Sequence, residues 1–335
     1  MEYKNTHRIR IALVIVALAS AAIFGLVVRE GAFFDQSSSV LPKSLTPTNS
    51  SQLDADLSSD LHLDSPEVVA SGLKIPWDLA FLPDGSLLVT ERAGSLVRIE
   101  KSGGRRSIQL PHPVPRGEGG LLGITLHPQF GNNKLLYLYM TTKSSREGTQ
   151  NAVFRYRYDG GKLLDEKVIV SGIPGALYHD GGRMEFGPDG FLYITTGDAQ
   201  KPAIAQDLNS LGGKILRLTD DGAIPLDNPF GTAVYSYGHR NPQGLAWDSE
   251  GRLWSTEHGS SKKDEINVIV KGKNYGWPTI EGDAVRDGME VPVRHSGPDV
   301  TWAPASALYY KGSIFFGGLK GETLYEAVLD GPGIR

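Results

Sequence analysis

One phrase recurs along this chain: an apolar strand, a turn made of an acidic residue and glycine, and a second apolar strand. It reads "LAFLPDGSLLVTERAGSLVRI" at 79–99, "MEFGPDGFLYITTGD" at 184–198 and "LAWDSEGRLWSTEHG" at 245–259. A longer-looped version occupies 124–142, and a fifth copy occupies 307–329. Short strands joined by such turns are typical of β-hairpins. The recurrence predicts an all-β protein built from hairpin units.

The spacing of these units favours a β-propeller. Four-stranded units that recur at about 40–50 residues are typical of propeller blades, and residues 64–335 hold roughly six of them at that period. The 41 Gly and 20 Pro residues suit many short strands and turns. We therefore expect a six-bladed β-propeller, with a β-sandwich or irregular barrel as the alternative. The absence of a long amphipathic pattern argues against an α/β enzyme.

Composition excludes several classes of function. The formal net charge is -4, which gives no basic field for nucleic acid, so no nucleic-acid partner is expected. The chain has no cysteine, which excludes disulfides, thiolate metal sites and a thiol nucleophile. Gly-rich segments occur at 117–128 and 205–218. Neither matches G-x-x-x-x-G-K-[ST] or G-x-G-x-x-G, the two patterns that bind nucleotides, so nucleotide binding is not expected. The sequence does not indicate an oligomeric state.

The N-terminus predicts export. Lys4, Arg8 and Arg10 precede an uncharged apolar run at 11–28, which is typical of a signal peptide or a membrane anchor. Ala19-Ser20-Ala21 is a candidate cleavage site, but the apolar run continues beyond it, which favours an uncleaved anchor. The positive charges keep the N-terminus in the cytoplasm. The rest would lie on the periplasmic or extracellular face, tethered by one transmembrane helix or secreted after cleavage.

Three parts of the chain follow from this pattern. Residues 1–30 form the signal or anchor segment, and 31–63, rich in Ser, Thr, Pro and Asp, form a disordered linker. Residues 64–335 form the β-propeller domain.

Two segments carry candidate chemistry. His179 precedes one predicted strand and Asp198 ends the next, so His179 is a candidate general base. Arg240 and Asn241, in "YSYGHRNPQGLAW", offer a guanidinium fork and an amide for an anion that bears carboxylates. A solvated turn explains the first segment equally well, and a polar loop explains the second.

The segment 255–278 is the densest in charge. Glu257, Asp264 and Glu265 offer carboxylate oxygens, and the loop at Gly259 offers backbone carbonyls, which are the ligands that Ca²⁺ prefers. The spacing is not that of an EF-hand. A charged surface loop is the alternative.

Together these phrases resemble the pyrroloquinoline quinone (PQQ)-dependent sugar dehydrogenases, the glucose/sorbosone dehydrogenase family. The resemblance starts at about residue 66 and rests on seven phrases in order. They are "PWDLAFLPDGSLLVTER", "GGLLGITLHPQF", "HDGGRMEFGPDGFLYITTGD", "AQDLNSLGGKILRL", "DNPF", "YSYGHRNPQGLAW" and "DEINVIVKGKNYGWP".

The resemblance implies a six-bladed propeller with PQQ and Ca²⁺ at its axis, which oxidises aldose sugars at C1 and passes electrons to an external acceptor. It implies His179 as the base and Asp198 as its supporting acid. The residues that match cofactor contacts are Arg240, Asn241, Lys320, Thr301, Glu118 and Arg335. The carbonyls of Gly259 and Ser260 match ligands of the active-site Ca²⁺, while Glu265 and Tyr275 match ligands of a second, structural Ca²⁺.

Three departures from the family pattern affect what we expect. Glu118 stands where soluble members have Gln, which adds a negative charge, and Ser260 stands where some have Pro. The family continues with an R-x-R-D phrase, whereas this chain ends "GPGIR", with Gly333 in place of the first arginine and Arg335 in place of the second. We therefore expect an incomplete closing blade, which favours a fragment or truncated product. The alternatives are that another chain completes the blade or that the protein is no longer a working enzyme.

Two other functions compete with the dehydrogenase. A Ca²⁺-dependent propeller lactonase would also use axial carboxylates and a histidine, but it has no reason to keep Arg240 and Lys320. A non-catalytic extracellular binding propeller could lose His179 or Arg240, and both are present.

Overall fold

The chain folds as an all-β propeller. The computed structural model describes residues 67–144 and 148–335. In these ranges the strands form five antiparallel sheets of four strands, and in each sheet the strands pair in sequence order. We number the sheets 1 to 5 along the chain. All of them lie in one unit, whose described part begins at Gly72.

The first sheet consists of β1 (Pro76–Phe81), β2 (Leu87–Glu91), β3 (Ser95–Ile99) and β4 (Arg105–Gln109). The second consists of β5 (Leu121–Leu126), β6 (Leu135–Lys143), β7 (Thr149–Asp159) and β8 (Lys162–Pro174). The third consists of β9 (Met184–Phe186), β10 (Leu192–Thr196), β11 (Lys214–Leu218) and β12 (Val234–Tyr237).

The fourth consists of β13 (Pro242–Trp247), β14 (Leu253–Glu257), β15 (Glu265–Ile269) and β16 (Arg294–His295). The fifth consists of β17 (Pro304–Tyr310), β18 (Ser313–Gly318), β19 (Thr323–Asp330) and β20 (Gly333–Ile334). A short helix α1 (Phe130–Asn133) joins β5 to β6, and a 3₁₀ turn (Pro202–Ala205) lies between β10 and β11.

The hairpin turns form as the repeated phrase predicts. The turns between β1 and β2, β9 and β10, and β13 and β14 hold Gly85, Gly190 and Gly251, each with φ near +79°. Glycine adopts this left-handed region without the steric cost that a Cβ would impose. In the first of these turns Asp84 accepts hydrogen bonds from the N–H and the hydroxyl of Ser86.

Four apolar clusters hold the sheets together, one between each consecutive pair. Leu88 of sheet 1 packs in one cluster with Leu136 of sheet 2, and Tyr139 of sheet 2 packs in the next with Ile194 of sheet 3. Two further clusters join sheet 3 to sheet 4 and sheet 4 to sheet 5. Burying one such side chain contributes about 1.5–3 kcal/mol, so the contacts between sheets stabilise the fold.

The prediction of six blades is wrong for the residues that the structure describes, which form five. The units are longer than the assumed period. Strands β7 and β8 have 11 and 13 residues, and residues 270–293 separate β15 from β16. Counting blades from the turn phrases alone does not account for these long strands and connections, so it gives too many blades. The sixth blade, expected to be incomplete, is not among these sheets.

The expected N-terminal helix and linker at 1–63 lie outside the described residues. Within 67–144 and 148–335, no helix combines the length and the apolar character that crossing a bilayer requires.

Candidate functional site

Most of the candidate residues lie at one edge of the sheets. Glu118, His179 and Arg240 precede the first strands β5, β9 and β13, while Asp198 and Gly259 follow the second strands β10 and β14. In an antiparallel pair, the start of one strand and the end of the next meet at the same edge. The fold therefore collects residues that are far apart in sequence.

His179 and Asp198 form the pair that the sequence predicts. The two lie 2.7 Å apart between His179 Nδ1 and Asp198 Oδ1. Asp198 is fully buried, while the His179 side chain is 18% exposed. A carboxylate only accepts hydrogen bonds, so in the neutral imidazole Nδ1 carries the proton and Nε2 keeps its lone pair. His179 can therefore accept a proton from a ligand at Nε2.

The Asp198 carboxylate is held by further donors. Its Oδ2 accepts a hydrogen bond from Trp277 Nε1 at 2.8 Å, and its Oδ1 accepts one from the backbone N–H of Gln200 at 2.9 Å. Trp277 comes from the long segment between β15 and β16. That segment thus helps to orient the acid that supports His179.

The backbone at His179 is in the left-handed region, with φ of +65°. A non-glycine residue there costs of order 1–3 kcal/mol, so surrounding contacts must maintain it. Glu118 Oε2 accepts the His179 N–H at 2.9 Å, which is one such contact. At Gly181, a Cβ would lie 2.6 Å from the Cα of Thr196, so glycine is required for this close approach.

Arg240 and Asn241 are tied to this pair. The Asp198 N–H donates to the Arg240 carbonyl at 2.8 Å, and the Gly181 N–H donates to Asn241 Oδ1 at 3.1 Å. The Arg240 guanidinium donates to the carbonyls of His258 and Ser260, both at 3.3 Å. Its Nε is buried without a hydrogen-bond partner.

Asp264 joins the predicted metal loop to a predicted cofactor residue. Its Oδ1 accepts the N–H of Gly259 at 2.9 Å, and its Oδ2 accepts the hydroxyl of Thr301 at 2.7 Å. The N–H groups of Trp302 and Ala303 also donate to Oδ2. Both oxygens of this buried carboxylate are thus engaged within the protein, and its role is to join 259 to 301–303.

Glu265 begins β15, and Tyr275 lies in the segment that follows this strand. Glu265 is paired across the strands with Glu257, and burial, with a further contribution from the Glu257 charge, raises the pKa of Glu265 to about 8. Tyr275 stacks on His239 with ring centroids 4.6 Å apart, and its hydroxyl donates to the Val268 carbonyl at 2.5 Å. Two facing carboxyl groups favour a cation or a proton between them.

Lys320 and Arg335 are less closely associated with the pair. Lys320 follows β18, its side chain is exposed, and its N–H donates to the Trp302 carbonyl at 3.2 Å. Arg335 follows β20, the outermost strand of sheet 5, and its N–H donates to Val328. The structure therefore brings Lys320 next to the 301–303 segment but leaves Arg335 at the outer edge.

The sequence interpretation missed Asp180 and Trp277. Asp180 is buried, Asn151 Nδ2 donates to its Oδ1 at 2.9 Å, and its Oδ2 has no partner. Burial raises the pKa of Asp180 to about 6, and the nearby Glu118 charge adds to the effect. The "HDGG" phrase did contain Asp180, but nothing in it showed that this side chain points inward.

The site offers donors for an anion but few ligands for a cation. The half-buried Arg240 guanidinium and the nearby Asn241 carry donors of the type that bind carboxylates. Within the described ranges, no group of three or more His, Cys, Asp or Glu side chains is placed to hold a metal. A Ca²⁺ ion would depend on backbone carbonyls, and that of Ser260 already faces a positive charge, the Arg240 guanidinium.

Comparisons with known proteins identify the family of this chain. The family model described as Glucose / Sorbosone dehydrogenase matches residues 73–333. Quinoprotein glucose dehydrogenase B of Acinetobacter calcoaceticus is 37% identical over 253 residues, which cover 64% of this chain and 52% of that relative. Aldose sugar dehydrogenase YliI of Escherichia coli K12 is 37% identical over 268 residues, which cover 76% of this chain and 72% of that relative.

A solved structure resembles the fold as well. The PQQ-bound form of aldose sugar dehydrogenase from Streptomyces coelicolor has a TM-score of 0.75 and 41% sequence identity. The match covers 80% of this chain and 81% of that protein.

Proposed function

This chain belongs to the glucose/sorbosone dehydrogenase family, and we propose that it is a PQQ- and Ca²⁺-dependent enzyme that oxidises aldose sugars at C1 to lactones. The observation that carries the proposal is the His179–Asp198 pair, hydrogen-bonded to the Arg240–Asn241 turn. One half of this arrangement accepts a proton, and the other donates to an anion. Both are required when a sugar is oxidised beside a carboxylated cofactor.

His179 is the base in this proposal. Asp198 holds the proton of Nδ1, so Nε2 takes the proton of the sugar C1 hydroxyl. As the imidazole becomes positive, the buried Asp198 carboxylate stabilises it, and Trp277 keeps that carboxylate in place. Bound PQQ would supply the acceptor for the hydride that leaves C1, so that the two-electron oxidation balances.

Arg240, Asn241, Lys320 and Thr301 would hold the cofactor, with Glu118 beside it. The half-buried guanidinium of Arg240 would supply positive charge and N–H donors, and the exposed Lys320 would supply a second positive charge. The carbonyls of Gly259 and Ser260 would hold the active-site Ca²⁺ once Arg240 releases Ser260. For Arg335 to contact the cofactor as well, the outermost strand of sheet 5, which it follows, would have to move toward the site.

Glu265 and Tyr275 would bind the second, structural Ca²⁺. The carboxyl group of Glu265, which is paired with Glu257 across the strands, would provide negative charge for it. Removal of this ion with a chelator should lower the stability of the protein.

The domain boundaries and the location are proposals too. Residues 1–30 would direct export and anchor the chain, 31–63 would act as a linker, and 64–335 would form the catalytic domain. The enzyme would act on the periplasmic or extracellular face and deliver electrons to an external acceptor.

Titration of the full chain with PQQ and Ca²⁺, followed by glucose and a reducible dye, tests the proposal. We expect PQQ binding and dye reduction, with turnover lost in His179→Ala while PQQ binding is kept. His112→Ala is the matched control, because His112 pairs with Glu166 on the outer strand of sheet 2. If the wild type binds no PQQ, the dehydrogenase is refuted and a binding propeller is favoured. Sugar-lactone hydrolysis without PQQ would favour a lactonase.

A further inference from the structure

Glu257 accepts hydrogen bonds from three consecutive residues. It is the last residue of β14 and is buried. Its Oε1 accepts the backbone N–H groups of Arg240, in a short contact, and of Asn241 at 3.3 Å. Its Oε2 accepts the Nδ1–H of His239 at 2.9 Å. One side chain thus holds the turn that precedes β13.

His239 is held on both ring nitrogens and on one face. It is fully buried, its Nε2 lies 2.8 Å from Ser236 Oγ, and its ring stacks on Tyr275. Its own N–H donates to the Gly213 carbonyl. Because a carboxylate donates no proton, the proton between the two side chains belongs to Nδ1. In the hydrogen-bonded series Ser236–His239–Glu257, His239 therefore donates to Glu257 through Nδ1.

The residues that Glu257 holds are the ones that reach the candidate site. The Arg240 carbonyl accepts the N–H of Asp198, and Asn241 Oδ1 accepts the N–H of Gly181. Both bonds connect the turn before sheet 4 to the end of sheet 3 that holds His179. One is made by Asp198 itself, and the other is made by Gly181, two residues after His179. A displaced 239–241 turn would disturb the anion-binding group and the proton acceptor together.

We propose that Glu257 is a positioning residue: through the 239–241 turn it sets Arg240 for the cofactor and keeps His179–Asp198 aligned. The proposal rests on the function proposed above. Removing its carboxylate would leave three buried donors without an acceptor, and each such group costs about 1–3 kcal/mol. Glu257 touches neither reacting atoms nor cofactor in this arrangement, so its effect is indirect.

Two substitutions of similar size separate the proposal from a general packing role. Glu257→Met removes every acceptor. Glu257→Gln keeps one oxygen for the N–H groups of Arg240 and Asn241, and its NH₂ then faces His239. His239 satisfies that NH₂ only by moving its proton from Nδ1 to Nε2, from which it donates to Ser236. Rescue by Gln therefore requires Ser236, and it should fail in the double variant Glu257→Gln with Ser236→Ala.

Three measurements on the full chain test this: amide hydrogen exchange, ¹⁵N NMR of His239, and PQQ titration with dye-coupled turnover. We expect Glu257→Met to speed exchange of the Arg240 and Asn241 amides and to weaken PQQ affinity by about tenfold or more, with a lower kcat. Glu257→Gln should stay within about threefold of wild type. In it, the protonated nitrogen of His239 should change from Nδ1 to Nε2.

Glu166→Gln is the control, because Glu166 also accepts from a histidine ring and a hydroxyl, on the outer strand of sheet 2. It should leave kinetics and 239–241 exchange unchanged. Wild-type exchange and affinity in a folded Glu257→Met, or Gln rescue that survives Ser236→Ala, would overturn the proposal. If Glu257→Met does not fold, the Gln and double variants decide the matter. If the wild type binds no PQQ, the proposed function fails, while exchange and the His239 signals still show whether Glu257 holds the turn.

Discussion

Replacing Asp198 with asparagine changes one atom and should disable the pair with His179. The two carboxylate oxygens of Asp198 accept from three donors: His179 Nδ1, the Gln200 N–H and Trp277 Nε1. An asparagine has a single acceptor oxygen. Its NH₂ group must face either Trp277, which only donates, or the His179 side of the site.

Either orientation has a cost. If the NH₂ faces Trp277, two buried donors oppose each other, and the free energy of unfolding should fall by about 1–3 kcal/mol. If it faces His179, the imidazole must place its proton on Nε2 and can no longer accept one there. Loss of a positioned general base lowers the rate by about 10²–10⁴-fold. In this second orientation kcat of Asp198→Asn should fall in this range, with PQQ affinity nearly unchanged.

Dye-coupled turnover at saturating PQQ, with urea unfolding of the same preparations, measures both effects. Asp221→Asn is the matched control, since Asp221 is exposed and pairs with Lys167 and Arg155 at the surface. It should retain kcat and most of its stability. A kcat of Asp198→Asn within twofold of wild type, together with an unchanged free energy of unfolding, would refute the assigned role of this pair.

Three further predictions concern other buried or charged groups. Burial raises the pKa of Asp180 to about 6, so its contribution to stability is full below pH 3.8 and is lost as the pH rises through 6. In thermal unfolding, Asp180→Asn should therefore be more stable than wild type at pH 8, by up to about 3 kcal/mol, and equally stable near pH 4. A difference in stability that stays the same at both pH values would contradict this. Asp264→Asn places an NH₂ group against either the N–H of Gly259 or the donors at 301–303. Urea unfolding should therefore show a loss of about 1–3 kcal/mol in the free energy of unfolding. The exposed control Asp299→Asn should show no such loss. Glu118→Gln keeps an acceptor for the His179 N–H but removes a negative charge. Fluorescence titration should therefore show about threefold tighter PQQ binding, with a smaller gain at high salt. Unchanged affinity at low salt would argue against a cofactor beside Glu118.

Local chemistry made the hairpins predictable. The turns at Asp84-Gly85, Asp189-Gly190 and Glu250-Gly251 lie between paired strands, as the repeated phrase indicates. Such turns depend on a few adjacent residues, so one sequence suffices to locate them. The number of sheets depends instead on the lengths of connections such as 270–293, which no turn pattern reports.

The candidate site shows the same division. His179 and Asp198 were predicted, and the structure brings them together. The holding roles of Glu257 and Asp264 were not, because most of their donors are backbone N–H groups. Every residue except proline carries a backbone N–H, so such partners leave no mark in the sequence. The sequence offered both carboxylates as candidate Ca²⁺ ligands because carboxylate oxygens suit that ion.

The placement of the candidate residues at the edge shared by first and second strands leaves the outer hairpins free for engineering. The turn between β7 and β8 holds Gly160 and Gly161, with no heavy atom within 4 Å of the position that a Cβ would take at either. Exposed turns of this kind tolerate inserted domains. An electron-carrying protein fused into this turn would travel with the propeller while every hydrogen bond around His179 stayed in place.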